Sequence, residues 1–305
     1  MEIGKLTVSP PSATNWIDVF LMGDFHEGNC NFEEKALERA VDHIKKNAEE
    51  NPYTFVILMG DYCEYITSQS DPRWDPVAID SKYKIRDLKN LAIKQNEYIS
   101  GKLEPIKDIV IAILIGNHGE AYVKHNTTDV YDDFAKRFPL AKKLGYVGYF
   151  GFNLSPINES SSSQFIFALN HGEGGGGKTL GYVENKLYDL FAMEDRADFR
   201  ICGHMHKLVA RPLTLRSPNR YLSGMNERRI WFGCSGGFLS TYKVGNKNYF
   251  EHKGREPSDI GMLKASFRVY NRGGGKGHKL PHQWYKQTLL KKIRIEDIDN
   301  QPDTL

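Results

Sequence analysis

The sequence predicts a layered α/β protein, and three observations carry that prediction. Short apolar runs rich in β-forming residues recur along the chain, helical periodicity fills the gaps between the first of them, and nearly every run stops at a small residue followed by Asp, Asn or His. The runs are Ile17 to Met22, Thr54 to Met59, Ile109 to Ile115, Gln164 to Leu169, Phe199 to Ile201 and Arg229 to Phe232, which read as mostly buried strands. Between the first two, Phe32 to Asn47 places Leu37, Ala40, Val41 and Ile44 at helical spacing behind Asn31, a residue suited to cap a first turn. A second helical stretch covers roughly Asp80 to Ser100, completing a strand, helix, strand, helix, strand order of the βαβ kind.

Further along, Tyr146 to Leu154 and Gln164 to Leu169 flank Ser160 to Ser163, which reads as a hairpin turn between antiparallel strands. After Phe250 the chain turns loop-rich and basic, with Gly273, Gly274, Gly275 and Lys276 ahead of Lys291, Lys292, Ile293 and Arg294. The expected organisation is therefore a main domain over residues 1–265, with a helical insert at about 65–107, and a basic C-terminal extension over 266–305 that is irregular or peripheral.

Composition narrows the class. With 305 residues, 40% hydrophobic, 12% aromatic and 26% charged, the chain is long and apolar enough for a substantial core and is not globally disordered. The 41 Lys and Arg against 38 Asp and Glu give a net charge of +3, too small to name nucleic acid as a partner by field strength alone. No apolar run approaches the ~20 residues of a membrane-spanning helix, so no membrane partner and a cytoplasmic location are expected. Cys30, Cys63, Cys202 and Cys234 show neither zinc-ribbon spacing nor a disulfide framework, and are expected to be reduced space-fillers.

The polar residues at the strand ends are Gly23-Asp24-Phe25-His26, Gly60-Asp61, Gly116-Asn117-His118, Asn170-His171-Gly172 and Gly203-His204-Met205-His206. In open α/β sheets the loops at the carboxyl ends of strands meet in one crevice, so these groups can converge although they are far apart in sequence. Asp, Asn and neutral His suit first-row divalent ions, and seven such side chains exceed what one tetrahedral site can use. Two ions fit better: a pair ~3.5–4 Å apart holds a phosphate by two oxygens and lowers the pKa of a bridging water. Asp61 is the natural residue to span both ions.

The ordered set Asp24-x-His26, Gly60-Asp61, Gly116-Asn117-His118, His171 and Gly203-His204-x-His206 resembles the calcineurin-like metallophosphoesterase superfamily. That resemblance implies a two-sheet β-sandwich flanked by helices, with a dinuclear centre of Mn, Fe, Zn or Ni type, Mn being the first expectation. It further implies that Asp24, His26, Asp61 and His206 bind one ion and Asp61, Asn117, His171 and His204 the other. His118 takes the role of the histidine over the bound phosphate, which stabilises charge and protonates the leaving oxygen.

Two departures stand out. Where the family usually places an acid directly after this histidine, the chain has Gly119, so either Glu120 or Glu64 supplies the orienting carboxylate, or His118 works unpaired with a lower pKa and a modest rate. The Arg often found soon after Gly-Asp is missing, leaving Arg73, Lys124, His125 and Lys178 as candidates to grip phosphate. The Gly172 to Lys178 run reads as a flexible loop beside the metals rather than an ATP site.

The expected function is metal-dependent phosphoester hydrolysis by a metal-bridging hydroxide. The stretch from Tyr65 to Lys102, with Trp74 and Tyr83, and the basic Lys276, His278, Lys279, Lys291, Lys292 and Arg294 favour a phosphodiesterase or nuclease acting on a nucleotide or nucleic acid. The alternatives are a nucleotide or phosphoprotein phosphomonoesterase, or a metal-bound inactive scaffold motivated by Gly119.

Overall fold

In the computed structural model the described residues are 1–12, 14–67, 71, 73–76, 78–126, 128–155, 157, 162–174, 179, 181–242, 254, 256–271 and 284–298. They form two six-stranded sheets. The first runs β12 (Trp284–Arg294), β11 (Gly261–Asn271), β2 (Ile17–Met22), β3 (Thr54–Leu58), β4 (Val110–Leu114) and β5 (Lys142–Gly145). The second runs β1 (Glu2–Val8), β6 (Val147–Leu154), β7 (Ser163–Asn170), β8 (Phe199–Cys202), β10 (Met225–Ser235) and β9 (Leu208–Pro218).

Three apolar clusters define four layers. Phe20, Met22, Val56 and Leu58 face α1 (Glu34–Glu50) and α2 (Leu91–Leu103), whereas their neighbours Val19, Leu21 and Ile57 point the other way into the space between the sheets. Both faces of these strands are covered, which is why they read as unbroken apolar runs rather than alternating ones. Between the sheets, Phe152, Phe165, Phe167, Phe199 and Phe267 fill the middle of the sandwich. On the outer face of the second sheet, Ile230, Phe232 and Ala168 pack with Leu187 of the helix Tyr182–Leu190. The amphipathic α1 buries Leu37, Ala40, Val41 and Ile44, the residues whose spacing announced it, and Ala36 beside them.

Strand β2 pairs in parallel with β3 and β3 with β4, while β7 pairs in parallel with β8 and β8 with β10. Parallel neighbours end together, so each sheet delivers several carboxyl-terminal loops to one edge. The expected hairpin is present, β6 pairing antiparallel with β7 from Val147 against Asn170 to Leu154 against Ser163. Its connecting Ser160 and Ser161 lie outside the described residues.

The C-terminal expectation is corrected. β11 lies beside β2, and β12 beside β11 from Gly261 against Arg294 to Asn271 against Trp284. A boundary at 265 would cut β11, and Lys291, Lys292 and Arg294 are strand residues, not a loose basic tail. Loop-like composition misled here because the glycine-rich residues 272–283 join two strands whose Leu263, Ala265, Phe267, Val269 and Leu290 complete the inter-sheet core. Lys276, His278 and Lys279 lie outside the described residues. Among the described residues of the expected insert, helix begins at Ile85, as a 3-10 turn to Asn90, and continues through α2 and a second 3-10 turn over Glu104–Ile109.

Candidate metal centre

All seven proposed ligands and His118 meet at the shared edge of the two sheets. The chain enters the edge through strained turns: Asp24, His26, Asp61, His204 and His206 have φ of 52, 52, 49, 65 and 51°, and only two other described non-glycine residues are left-handed. Each such residue costs about 1 kcal/mol or more, and strain of this kind gathers where side chains must be aimed. The turns are locked by main-chain bonds, Asp24 N donating to Gly60 O (2.9 Å) and His26 N to Asp61 O (3.1 Å). His204 N, 180 residues further on, donates to both carboxylate oxygens of Asp24 at 3.0 Å.

The glycines of the motifs are explained by close approach. A Cβ at Gly116 would lie 2.0 Å from Asp61 Oδ1, one at Gly60 would lie 2.5 Å from His171 Nδ1, and one at Gly203 would lie 2.8 Å from Asp24 Oδ2. Gly60 also has φ +103°, a region L side chains avoid.

Among the described residues, candidate ligand atoms gather in three overlapping groups, one of them His26, Asp61 and His118, and the other two share no residue. Those of Asp24, His26 and His206 lie within 4.8 Å of one another, as do those of Asp61, His171 and His204. A single atom faces both: Asp61 Oδ2 is 3.1 Å from His171 Nε2 and 3.9 Å from His26 Nε2. Asn117 Oδ1 joins the second set, 3.2 Å from His171 Nε2 and 2.8 Å from His204 Nδ1.

The histidine tautomers are set from outside the cluster. A carbonyl or ionised carboxylate oxygen can only accept, so the ring nitrogen facing it carries the proton and the opposite nitrogen presents a lone pair. His171 Nδ1 donates to Met59 O at 2.8 Å, His204 Nε2 to Gly174 O at 2.9 Å and His26 Nδ1 to Glu64 Oε2 at 3.1 Å. A bound cation would take the lone pairs of His171 Nε2, His204 Nδ1 and His26 Nε2, the three atoms that point into the cluster; without one, His171 keeps a proton on Nε2 as well, facing Asp61 Oδ2 at 3.1 Å. His26 Nε2 is buried with no hydrogen-bond partner among the described residues. Lone pairs and carboxylates converging in a buried space are what a pair of divalent cations requires, so the donor set fits the metals.

The charges interact strongly. Burial pushes the Asp61 carboxyl up, but His171 and His118 override it and hold Asp61 well below the usual carboxylate range. For His171 burial works against the cation, yet Asp61 lifts its pKa to about 9. Burial lowers His204 to about 4, helped by the charge of His171.

His118 opens α3 (Asn117–His125), and its main-chain N donates to Asp61 Oδ1 at 3.0 Å. Its Nδ1 donates to the main-chain carbonyl of Glu64 at 2.7 Å, with Glu64 Oε1 3.8 Å away. Burial lowers its pKa, against the opposing pull of Asp61 and Glu64. The expectation that Glu120 orients His118 is corrected. Residues two apart on a helix point to different sides, and Glu120 is 48% exposed beside Lys124. Glu64 borders both histidines, its carboxylate 3.1 Å from His26 Nδ1 and 3.8 Å from His118 Nδ1.

Sequence reasoning missed Tyr62 and Tyr146. The Tyr62 hydroxyl, fully inside, donates to Leu114 O at 2.6 Å and accepts from Gly60 N at 3.1 Å, tying the β3 turn to β4. Tyr146 packs edge-on to the His171 ring with centroids 5.3 Å apart, and its hydroxyl bonds Gly172 O. Neither carries a ligand atom, so only an aromatic next to each motif could have pointed to them.

The sequence model of the calcineurin-like phosphoesterases matches residues 17–208, a span holding every residue of this cluster. The chain belongs to the calcineurin-like phosphoesterase family. Its members are metal-dependent hydrolases of phosphoester bonds, and this chain is one of them. Among solved structures it is similar to the calcineurin-like phosphoesterase YfkN from Bacillus subtilis, at 13% identity and TM-score 0.44, over 94% of this chain and 95% of that one. It is also similar to GAP50, the anchor in the inner membrane complex of Plasmodium, at 13% identity and TM-score 0.43, over 92% and 90% of the two chains. A predicted phosphoesterase from Streptococcus pneumoniae is similar at 12% identity and TM-score 0.28, over 90% and 99%. No curated protein sequence matches. Among the described residues no helix is long and apolar enough to cross a membrane.

Proposed function

We propose that this calcineurin-like phosphoesterase is a phosphodiesterase or nuclease working with two divalent ions, Mn²⁺ foremost. Asp24, His26, Asp61 and His206 would hold one ion, and Asp61, Asn117, His171 and His204 the other. The observation that carries this reading is Asp61 Oδ2, which stands 3.1 Å from one ligand set and 3.9 Å from the other. When bound, such a pair of ions activates water as a nucleophile and draws charge from the phosphoryl oxygens.

The chain's own part follows from the site. Met59 O, Gly174 O and Glu64 keep the ligand histidines in the tautomer that binds cations. His118, with Nδ1 committed to Glu64 O, keeps Nε2 for the substrate, where a proton can be given to the leaving oxygen. Burial outweighs the pull of Asp61 and Glu64 and lowers the His118 pKa, so a proton on its ring is given up readily, as protonation of a leaving oxygen requires.

The diester preference rests on Trp74 and Tyr83 of the insert, half-buried aromatic rings of the kind on which a base-bearing substrate stacks. A cytoplasmic location goes with this reading. Phosphomonoesterase activity is the alternative. Hydrolysis of bis(p-nitrophenyl) phosphate beside p-nitrophenyl phosphate, on chelator-stripped protein restored with Mn²⁺, decides between them. Diester turnover abolished by His204→Ala supports the proposal, and turnover of the monoester alone contradicts it.

A further inference from the structure

The segment from Asp71 to Asp80 is stitched to the chain just beyond His26. Cys30 N donates to Ala78 O at 2.8 Å, Asp80 N donates to Gly28 O at 2.9 Å, and Asn29 forms a bridge with Ile79. These bonds carry Arg73 to the rim of a pocket whose wall also contains Gly28, Glu64, Ile66 and Gln95. Glu64 is the residue against which His118 rests, so this pocket adjoins the metal centre on the His118 side.

Arg73 is held in place rather than loosely solvated. Its Nε donates to Asp71 Oδ1 at 3.0 Å and its Nη2 to Asp71 Oδ2 at 2.7 Å, while its main-chain N reaches Oδ1 at 2.9 Å. This two-point grip fixes the guanidinium plane, with the side chain 35% exposed. Its charge reaches the site, since it lowers the pKa of His118 and is itself stabilised by Asp71, Glu64 and Asp61.

We propose that Arg73, oriented by Asp71, is the cation that receives an anionic oxygen of the phosphoester bound beside His118. A guanidinium has five donors in a fixed fork, so those not committed to Asp71 suit a tetrahedral phosphoryl group. The Gly60-Asp61 motif here has no arginine soon after it, and the insert brings one back from a different loop. Lys124 is less suited, being 67% exposed and paired with Glu120. Lys178 and the His125 side chain lie outside the described residues. Asp71 is a positioning residue in this scheme, because it touches Arg73 and not the substrate.

The inference rests on the diester-hydrolase reading, and the test separates the two. On Mn²⁺-restored protein with bis(p-nitrophenyl) phosphate, Arg73→Gln raises KM about ten- to hundredfold with a much smaller change in kcat. The inhibition constant of inorganic phosphate rises in the same proportion, and Arg73→Lys recovers part of both. Asp71→Ala shifts KM in the same direction, and the double variant is no worse than Arg73→Gln alone. An active wild type whose KM and phosphate inhibition survive Arg73→Gln overturns the proposal. A wild type that turns over only p-nitrophenyl phosphate overturns the diester reading instead, and Arg73 is then judged by the same KM comparison on that monoester.

Discussion

His118 is held by the main chain of Glu64, Nδ1 lying 2.7 Å from the carbonyl oxygen, while the Glu64 carboxylate turns to His26 Nδ1 at 3.1 Å. The two halves of Glu64 therefore serve different histidines. Glu64→Gln leaves the carbonyl in place and weakens the bond to a proposed metal ligand, so Mn²⁺ affinity falls about 10–100-fold while saturating Mn²⁺ restores most of kcat. Glu120→Gln, on the exposed side of α3, changes kcat less than about twofold. His118→Ala lowers kcat by about a hundredfold or more with Mn²⁺ binding intact. Steady-state kinetics over a Mn²⁺ titration checks all three, and a kcat collapse in Glu120→Gln would restore the carboxylate partner that the helix geometry denies.

The glycines of the site differ in what they permit. Gly116→Ala drives a Cβ to 2.0 Å from Asp61 Oδ1 and Gly60→Ala puts one 2.5 Å from His171 Nδ1, so both lose Mn²⁺ binding or fold poorly. At Gly119 an added Cβ meets only Ile115 at 3.4 Å and Tyr65 at 3.6 Å, ordinary contacts. Gly119→Ala is therefore expected to keep wild-type activity and a melting temperature at least as high, since alanine favours helix by up to about 1 kcal/mol over glycine. Thermal melts and Mn²⁺ titration of the three variants distinguish these outcomes.

The legibility of the site and of the fold had different physical origins. Asp24, His26, Asp61, Asn117, His171, His204 and His206 could be read because a parallel strand must end where its neighbours end, so ligand types behind apolar runs announce a common edge. Glu64 could be placed near His118 but not divided into carbonyl and carboxylate, because backbone direction at a turn with Tyr65 at φ 52° is not encoded in residue type. Strands β11 and β12 were hidden by the glycine-rich residues between them, although Met262, Leu263, Ala265 and Phe267 supply a strand pattern by themselves. Arg73 was one cation among four until the bonds from residues 28–30 fixed its loop.

The insert is fastened by a buried ion pair. Glu27 is 0% exposed, forms an ion pair with Lys82 Nζ at 2.8 Å and accepts from Tyr83 at 2.7 Å, and Lys82 lies 3.7 Å from the Tyr98 ring centre. Lys82→Met leaves the carboxylate buried without its cation and destabilises the protein by about 3 kcal/mol at pH 8. Burial already raises the pKa of Glu27 to about 7 with Lys82 present, so its neutral form is the one the fold favours. The deficit of Lys82→Met relative to wild type thus shrinks as pH falls through 7, and adding Glu27→Gln reduces it at every pH. Urea unfolding at pH 6 and 8 tests this, a pH-independent deficit counting against it.

A second buried carboxylate has the opposite sign. Burial raises Asp18, but Ser266 at 2.6 Å and Lys264 at 3.0 Å prevail and hold its pKa below the ordinary value. Its contribution is present above the unfolded pKa of about 3.9 and disappears as pH falls through the lower folded value. Asp18→Asn is expected to cost about 1–3 kcal/mol at pH 7 and progressively less below pH 4, as measured by urea unfolding.

The proposed dinuclear centre requires the Asp61 carboxylate to serve two cations. Counting Mn²⁺ bound to chelator-stripped protein by equilibrium dialysis and elemental analysis tests it directly, with Asp61→Asn, His206→Ala and His171→Ala alongside. We expect two ions per wild-type chain, loss of one ion in each histidine variant and weakened binding of both in Asp61→Asn. A wild type that saturates at one ion, or an Asp61→Asn variant that keeps two at wild-type affinity, would contradict the shared centre.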